Sequence, residues 1–309
     1  MYAINETKLC GKKIISIRHL PTGNYASIIV DYGGALHAFV VDKKHILRSP
    51  GDDEDFNIIT EKAFAGTQLF PFPNRVNNAK YSFNDKEYFL PLNDDAGFSH
   101  SLHGLIYNQP FTISQINESE GKIELKYHFK KNKTAYPFEF LLIVEYVLNL
   151  DCLEVNTGIT NLSKEKAPLG YGWHPYIVVA GKIDDCKLKL PATKYYLSDD
   201  RLIPIGNTAE LKDFKELSLI GPLQLNQCFE MPSSKKSHAT LIEDIDGSCI
   251  QVVQEGFGYT QYYIPPDRKS IAIEPQTCIP NALNNGIGLL EMQHGETLNF
   301  SFKITIQNK

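Results

Sequence analysis

Alternation with a period of two governs this chain. Ile123, Leu125, Tyr127 and Phe129 are interleaved with Glu124, Lys126, His128 and Lys130, and Leu298, Phe300, Phe302, Ile304 and Ile306 alternate with polar residues after a turn at His294-Gly295-Glu296. Successive residues of a strand point to opposite faces, so each run reads as a strand with one face buried and the other in water. Residues 138–148 are apolar at nearly every position, which predicts a central strand covered on both faces in a two-sheet stack. Further strands are expected near residues 14–18, 26–32, 35–41, 152–160, 186–190, 249–254, 259–264 and 270–274, with turn formers such as Pro21-Thr22-Gly23-Asn24 and Asp246-Gly247 between them. Helical periodicity is weak and confined to residues 58–65 and 211–217. No βαβ alternation, low-complexity linker or fixed-period repeat divides the chain. The expected fold is therefore all-β, one large antiparallel β-sandwich domain over residues 1–309 with few short helices.

Composition narrows the function classes. Hydrophobic residues make up 42% and charged residues 22%, the balance of an ordinary folded globule. A formal net charge of −5 supplies no basic stripe for nucleic acid and no polybasic patch for anionic lipid. The stretch MYAINETKLCGKK lacks the apolar run of a signal peptide, and no window approaches the roughly 18 apolar residues of a membrane span. A cytoplasmic location is expected. The six cysteines, at 10, 152, 186, 228, 249 and 278, are scattered and form no CxxC pair, so free and mostly buried thiols are expected.

Four islands break the alternation by placing polar or ionisable groups among aromatics, Pro and Gly: GTQLFPFPNRV at 66–76, SHSLHGL at 99–105, GYGWHPY at 170–176 and IEPQTCIPNALN at 273–284. In the third, Pro175 pushes His174 into an extended conformation, and Gly170 and Gly172 let the backbone pass close to a neighbour. His174 suits either a packed core histidine or an aimed acid/base group. In the fourth, Glu274 closes an apolar run where an apolar residue is expected. A carboxylate so placed must be paired or shift its pKa, which fits a structural ion pair with an arginine or a functional site. His100 and His103 are three apart, and on a strand such positions face opposite ways, so joint metal chelation is not expected. Gly104 permits close approach beside His103, which makes His103 the ligand-facing candidate. The guanidinium of Arg75 can donate to paired sugar hydroxyls or to a carboxylate. GxSxG, Walker, dinucleotide-binding and HExxH signatures are missing. Two histidines, a glutamate and an arginine fit general acid/base work on a polar neutral ligand.

FPFPNRV, LHG, GWHPY and EPQT followed by PNALN, in that order across most of the chain, resemble the motifs of the aldose 1-epimerase (galactose mutarotase) family. The resemblance implies a supersandwich whose cleft binds a hexose without metal or cofactor. It implies Glu274 as general base, His174 as general acid kept as an imidazolium by a neighbouring acid, His103 as a group that holds and polarises the sugar, and Arg75 as a ligand of its hydroxyls. The family's D-H-x-F pattern is met here by Asn226-Gln227-Cys228-Phe229, so Asn226 can hydrogen-bond a hydroxyl but carries no charge. A single glycine follows His103 where many members have two. The partner implied is a monosaccharide. A hexose-6-phosphate 1-epimerase, a sugar-binding protein without turnover and a metal-dependent cupin-like protein are the alternatives.

Overall fold

The computed structural model describes residues 1–94, 97–233 and 236–307. Three antiparallel sheets account for most of it. The N-terminal residues form a five-stranded meander, Tyr2–Leu9, Lys12–His19, Tyr25–Ile29, Ala35–Val41 and Lys44–His45, in sequence order. A nine-stranded sheet runs Thr112–Asn117, Lys122–Phe129, Phe140–Asn149, Cys152–Asn161, Thr297–Gln307, Cys249–Glu255, Ser237–Glu243, Lys187–Lys189, Ser218–Leu219. An eight-stranded sheet runs Pro204–Glu210, Lys194–Ser198, Asn226–Glu230, Tyr259–Tyr263, Ser270–Gln276, Gly172–Trp173, Gln68–Leu69, and Tyr176–Val178 also pairs with Ser270–Gln276. The all-β sandwich expected from the alternation is the fold observed.

The core lies between the two large sheets. Trp173 stacks on Phe302 with ring centroids 3.6 Å apart, and the hydroxyls of Thr240 and Tyr262 meet at 2.6 Å across the same gap. Side chains of the N-terminal meander, among them Ile15, Ile28 and Phe39, join the same apolar cluster. Thr297–Gln307 alternates as its sequence requires, with Phe300, Phe302, Ile304 and Ile306 buried. The strand Phe140–Asn149 corrects one expectation. Phe140, Leu142, Val144, Tyr146 and Leu148 are buried, but Leu141, Ile143, Glu145 and Val147 are only half covered, so one face packs in the core and the other floors an open groove. Apolar content on both faces therefore marked a central position without a second covering layer.

Helix is sparse, as the weak helical periodicity predicts. One α turn, Asp53–Asp55, leads into a π-helical segment, Phe56–Lys62, another lies at Ala282–Asn285, and a 3₁₀ turn at Asp213–Lys215 falls within the second expected region. All six cysteines are free, four of them buried. No helix among the described residues is long and apolar enough to cross a membrane.

Candidate active site

Glu274, His174, His103, Arg75 and Asn226 line one cleft of about 350 Å³, within the roughly 300–1,000 Å³ of small-molecule sites. A larger groove of about 560 Å³, over the half-covered strand, carries Glu124, Glu145 and Glu255 but no histidine or arginine.

Strand register explains how the cleft is built. Gly172 pairs with Gln276 and Tyr176 with Ala272, so His174 stands opposite Glu274 in the same antiparallel register. The ladder opens at this point because Pro175 has no N–H to give. Ile273 N–H bonds to Pro175 O at 3.2 Å instead. Alternation then sends Trp173 into the core, where its Nε1–H donates to Gly66 O at 2.9 Å, and sends His174 to the opposite face. Gly172 is needed for this packing, since a Cβ there would lie 2.9 Å from Pro275 O. On the other side of Glu274 the register partner is Gln261. A row of His174, Glu274 and Gln261 thus crosses three strand segments on one face.

His174 Nε2 lies 3.4 Å from Glu274 Oε1, and both side chains are about 95% covered. Glu274 Oε2 accepts from Gln276 Nε2 at 3.0 Å. Burial dominates the electrostatics of the pair by penalising charge on either group. It pushes the Glu274 carboxyl up to about 8, against smaller opposing effects of Gln276 and Arg75, and pushes His174 down to about 3. The imidazolium expected beside a neighbouring acid is therefore disfavoured by burial in the pair at rest. One proton resides on the pair across neutral pH, and burial favours its placement on the carboxyl.

His103 arrives from a different part of the chain. The short pairing of Arg75–Val76 with Ser101–Leu102 delivers it beside Arg75, and it takes a left-handed φ of 59°, a strained choice for a non-glycine residue. Gly104 follows because a Cβ there would collide with Phe70 O at 2.2 Å. The His103 ring meets the His174 ring edge to face at 4.9 Å and leans on Phe64 at 4.7 Å. Burial, then His174 and Arg75, hold it well below the usual histidine range. Its Nδ1 accepts from Asn74 N–H at 3.3 Å, so the neutral ring carries its proton on Nε2, where it is a donor.

Arg75 combines both roles open to it. Its Nε donates to the buried Asp94 at 2.7 Å, a structural ion pair, while the guanidinium lines the cleft. Asn226 Oδ1 accepts from Gln261 Nε2 at 3.0 Å, so in that pairing its amide N–H groups remain for a ligand. Asp94, Gln261 and Gln276 escaped the sequence reading. Gln261, a polar residue inside the YTQYY strand, and Gln276, in EPQT, carried a detectable signal; Asp94 sits in a loop with none.

His103, His174 and Glu274 place three potential metal-ligating atoms within 4.8 Å of one another. His100 is not among them, and its Nδ1 accepts from Asn78 N–H at 3.1 Å. Ligation through His103 Nε2 requires a lone pair on the nitrogen that the Asn74 contact protonates. As held, this ring faces an acceptor better than a cation.

The aldose 1-epimerase family model matches residues 15–305. The uncharacterized protein YihR of Escherichia coli is 27% identical over 297 residues, covering 94% of this chain and 93% of that protein. A crystal structure of a galactose mutarotase-like protein from Clostridium acetobutylicum superposes with a TM-score of 0.85 at 24% identity, covering 100% of this chain and 99% of that one. Galactose 1-epimerase from Lactobacillus acidophilus superposes with a TM-score of 0.82 at 17% identity, covering 99% of each. With the motifs in order, the sandwich in place and the family model spanning nearly its whole length, the chain belongs to the aldose 1-epimerase family.

Proposed function

We propose that this protein interconverts the α and β anomers of a hexose by opening and reclosing the ring. The observation that carries the reading is the side-by-side placement of His174 and Glu274, 3.4 Å apart in the cleft wall. In a cyclic hemiacetal the C1 hydroxyl and the ring oxygen share one carbon. The base and the acid that open the ring must therefore stand next to each other, as these two do.

Glu274 takes the C1 hydroxyl proton while His174 protonates the ring oxygen, the C1–O5 bond breaks and a free aldehyde forms. Rotation about C1–C2 and closure with both proton transfers reversed gives the other anomer. The working form, carboxylate beside imidazolium, holds the same number of protons as the resting pair, so it is reached by moving one proton within the pair. Arg75, which opposes the rise of the Glu274 pKa, favours that form. His103 Nε2–H donates to a sugar oxygen, Arg75 fixed by Asp94 grips hydroxyls, and Asn226 donates its amide N–H.

Polarimetry on fresh α-D-glucose and α-D-galactose tests the reading. Acceleration of at least one aldose is expected and should be lost in Glu274→Gln. Tight sugar binding by calorimetry without acceleration would instead make this a sugar-binding protein. Lys62 also lines the cleft, which favours a second reading with a 6-phosphorylated hexose as substrate. A higher rate on glucose 6-phosphate than on glucose, diminished in Lys62→Ala, would select it.

A further inference from the structure

A second cavity, of about 450 Å³, lies between the N-terminal meander and the turn at residues 265–269, and shares no lining residue with the cleft. Tyr25 and Ser27 reach it from Tyr25–Ile29, His37 from Ala35–Val41, His45 from Lys44–His45, and Arg48 and Lys269 from the flanking loops. The strand Tyr176–Val178 separates the two spaces, with Tyr176 lining the cleft and Val178 lining this cavity.

Two buried polar atoms here have no protein partner, Ser27 Oγ and His37 Nδ1. Ser27 is only 4% exposed. Buried polar groups left unpaired are costly, and two in one cavity point to something that bonds them. Charge says what that is. The only carboxylate on the cavity wall among the described residues, Asp267, is already engaged, its Oδ2 with Arg48 Nη2 at 2.9 Å and its Oδ1 with Lys269 N–H at 3.2 Å. Ser49 is engaged too, its hydroxyl donating to the carbonyls of His37 and Leu47. The groups left over are an exposed lysine, a hydroxyl, two imidazoles and the rest of a guanidinium. Burial keeps the His37 ring neutral, at about 4, so it serves as a polar ligand, and the positive charge comes from Lys269 and Arg48, only one of which Asp267 offsets. The result is a donor-rich pocket with excess positive charge on a chain whose formal net charge is −5.

We propose that this cavity binds a phosphate dianion, with Ser27 Oγ and His37 as its inner ligands and Lys269 with Arg48 supplying charge. Tyr25, Leu47 and Val178 add apolar wall, and the volume exceeds what a free phosphate fills, so a small phosphomonoester suits the space better than inorganic phosphate. The proposal does not depend on the anomerase reading, because the residues are separate.

Titration calorimetry of the full chain at low ionic strength, with inorganic phosphate and with glycerol 3-phosphate, tests it. Both should bind, the ester more tightly. Lys269→Ala and Ser27→Ala should each weaken binding about tenfold or more, the loss of one charge-assisted or buried hydrogen bond. Lys269 is exposed, so its replacement leaves folding intact, and the anomerisation rate measured without phosphate should match that of the parent. Arg75→Ala should leave phosphate binding unchanged. No heat with either probe at millimolar concentration would overturn the proposal. So would binding that survives both Lys269→Ala and Ser27→Ala, or binding abolished by Arg75→Ala, which would put the anion in the cleft.

Discussion

Two concave surfaces of this molecule carry carboxylates on strands, and they differ in what surrounds the charge. In the groove on the outer face of the nine-stranded sheet, Glu145 is partly solvated, pairs with Lys122 and accepts from Asn156 Nδ2 at 3.3 Å. In the cleft, Glu274 is 2% exposed and, among the described residues, has no lysine or arginine within ion-pair distance, only His174 and the amide of Gln276. The groove has the greater volume, and the smaller cleft has the buried acid beside an imidazole on which the proposed reaction rests. A carboxylate held by a cation in water is already satisfied, whereas one buried beside an imidazole has a proton to exchange.

The sharpest way to break this contrast is to neutralise each carboxylate in turn. Glu274→Gln should slow anomerisation by roughly 10²–10⁴-fold, the usual contribution of one acid/base group, while Glu145→Gln leaves the rate unchanged. Equal losses by polarimetry would mean the contrast has no functional meaning. A smaller effect is expected from Asp94→Asn, which frees Arg75 from its anchor. KM should rise about tenfold with kcat little altered, the loss of one charge-assisted contact; a fall in kcat alone would give Arg75 a different task.

The pH profile sharpens the comparison further. The pair needs one proton, and with His174 at about 3 and Glu274 at about 8 it holds one between those values. The rate should fall above about pH 8, where the pair loses its last proton, and a rate that keeps rising there would contradict the proton count. The smallest effect is on stability. A carboxyl whose pKa is raised from 4.5 to about 8 on folding contributes stability that is fully present below 4.5 and is lost as pH rises through about 8. Glu274→Gln should therefore gain several degrees in Tm relative to the parent at alkaline pH and little at acid pH, with Glu145→Gln as the control.

Much of the sandwich is legible from alternation alone, because the period of two is a local property. Residues 123–129 and 298–306 declare their buried faces without reference to anything distant. The half-open face of Phe140–Asn149 was not legible, since apolar residues on both sides state what could be covered and not whether a second layer arrives. At the cleft, His174 and Glu274 each broke the local pattern and could be singled out, but their pairing depends on a register between segments remote in sequence. Asp94 shows the limit. A loop aspartate carries no periodic signal, and only the folded chain brings it to Arg75. The protonation of the pair also lay beyond the sequence, because it follows from how completely the two groups are covered.

The row of His174, Glu274 and Gln261 has a consequence for how such a chain can change over generations. Its three members sit on adjacent strand segments in fixed register, and a slip of one residue turns every side chain of a strand to the opposite face. A single-residue insertion within Tyr259–Tyr263, residues 172–176 or Ser270–Gln276 would carry a row member out of the cleft and its neighbour in, Trp173 in place of His174 for example. Length variation among descendants is thereby confined to the turns, and the cleft can diversify only by replacing side chains where they stand.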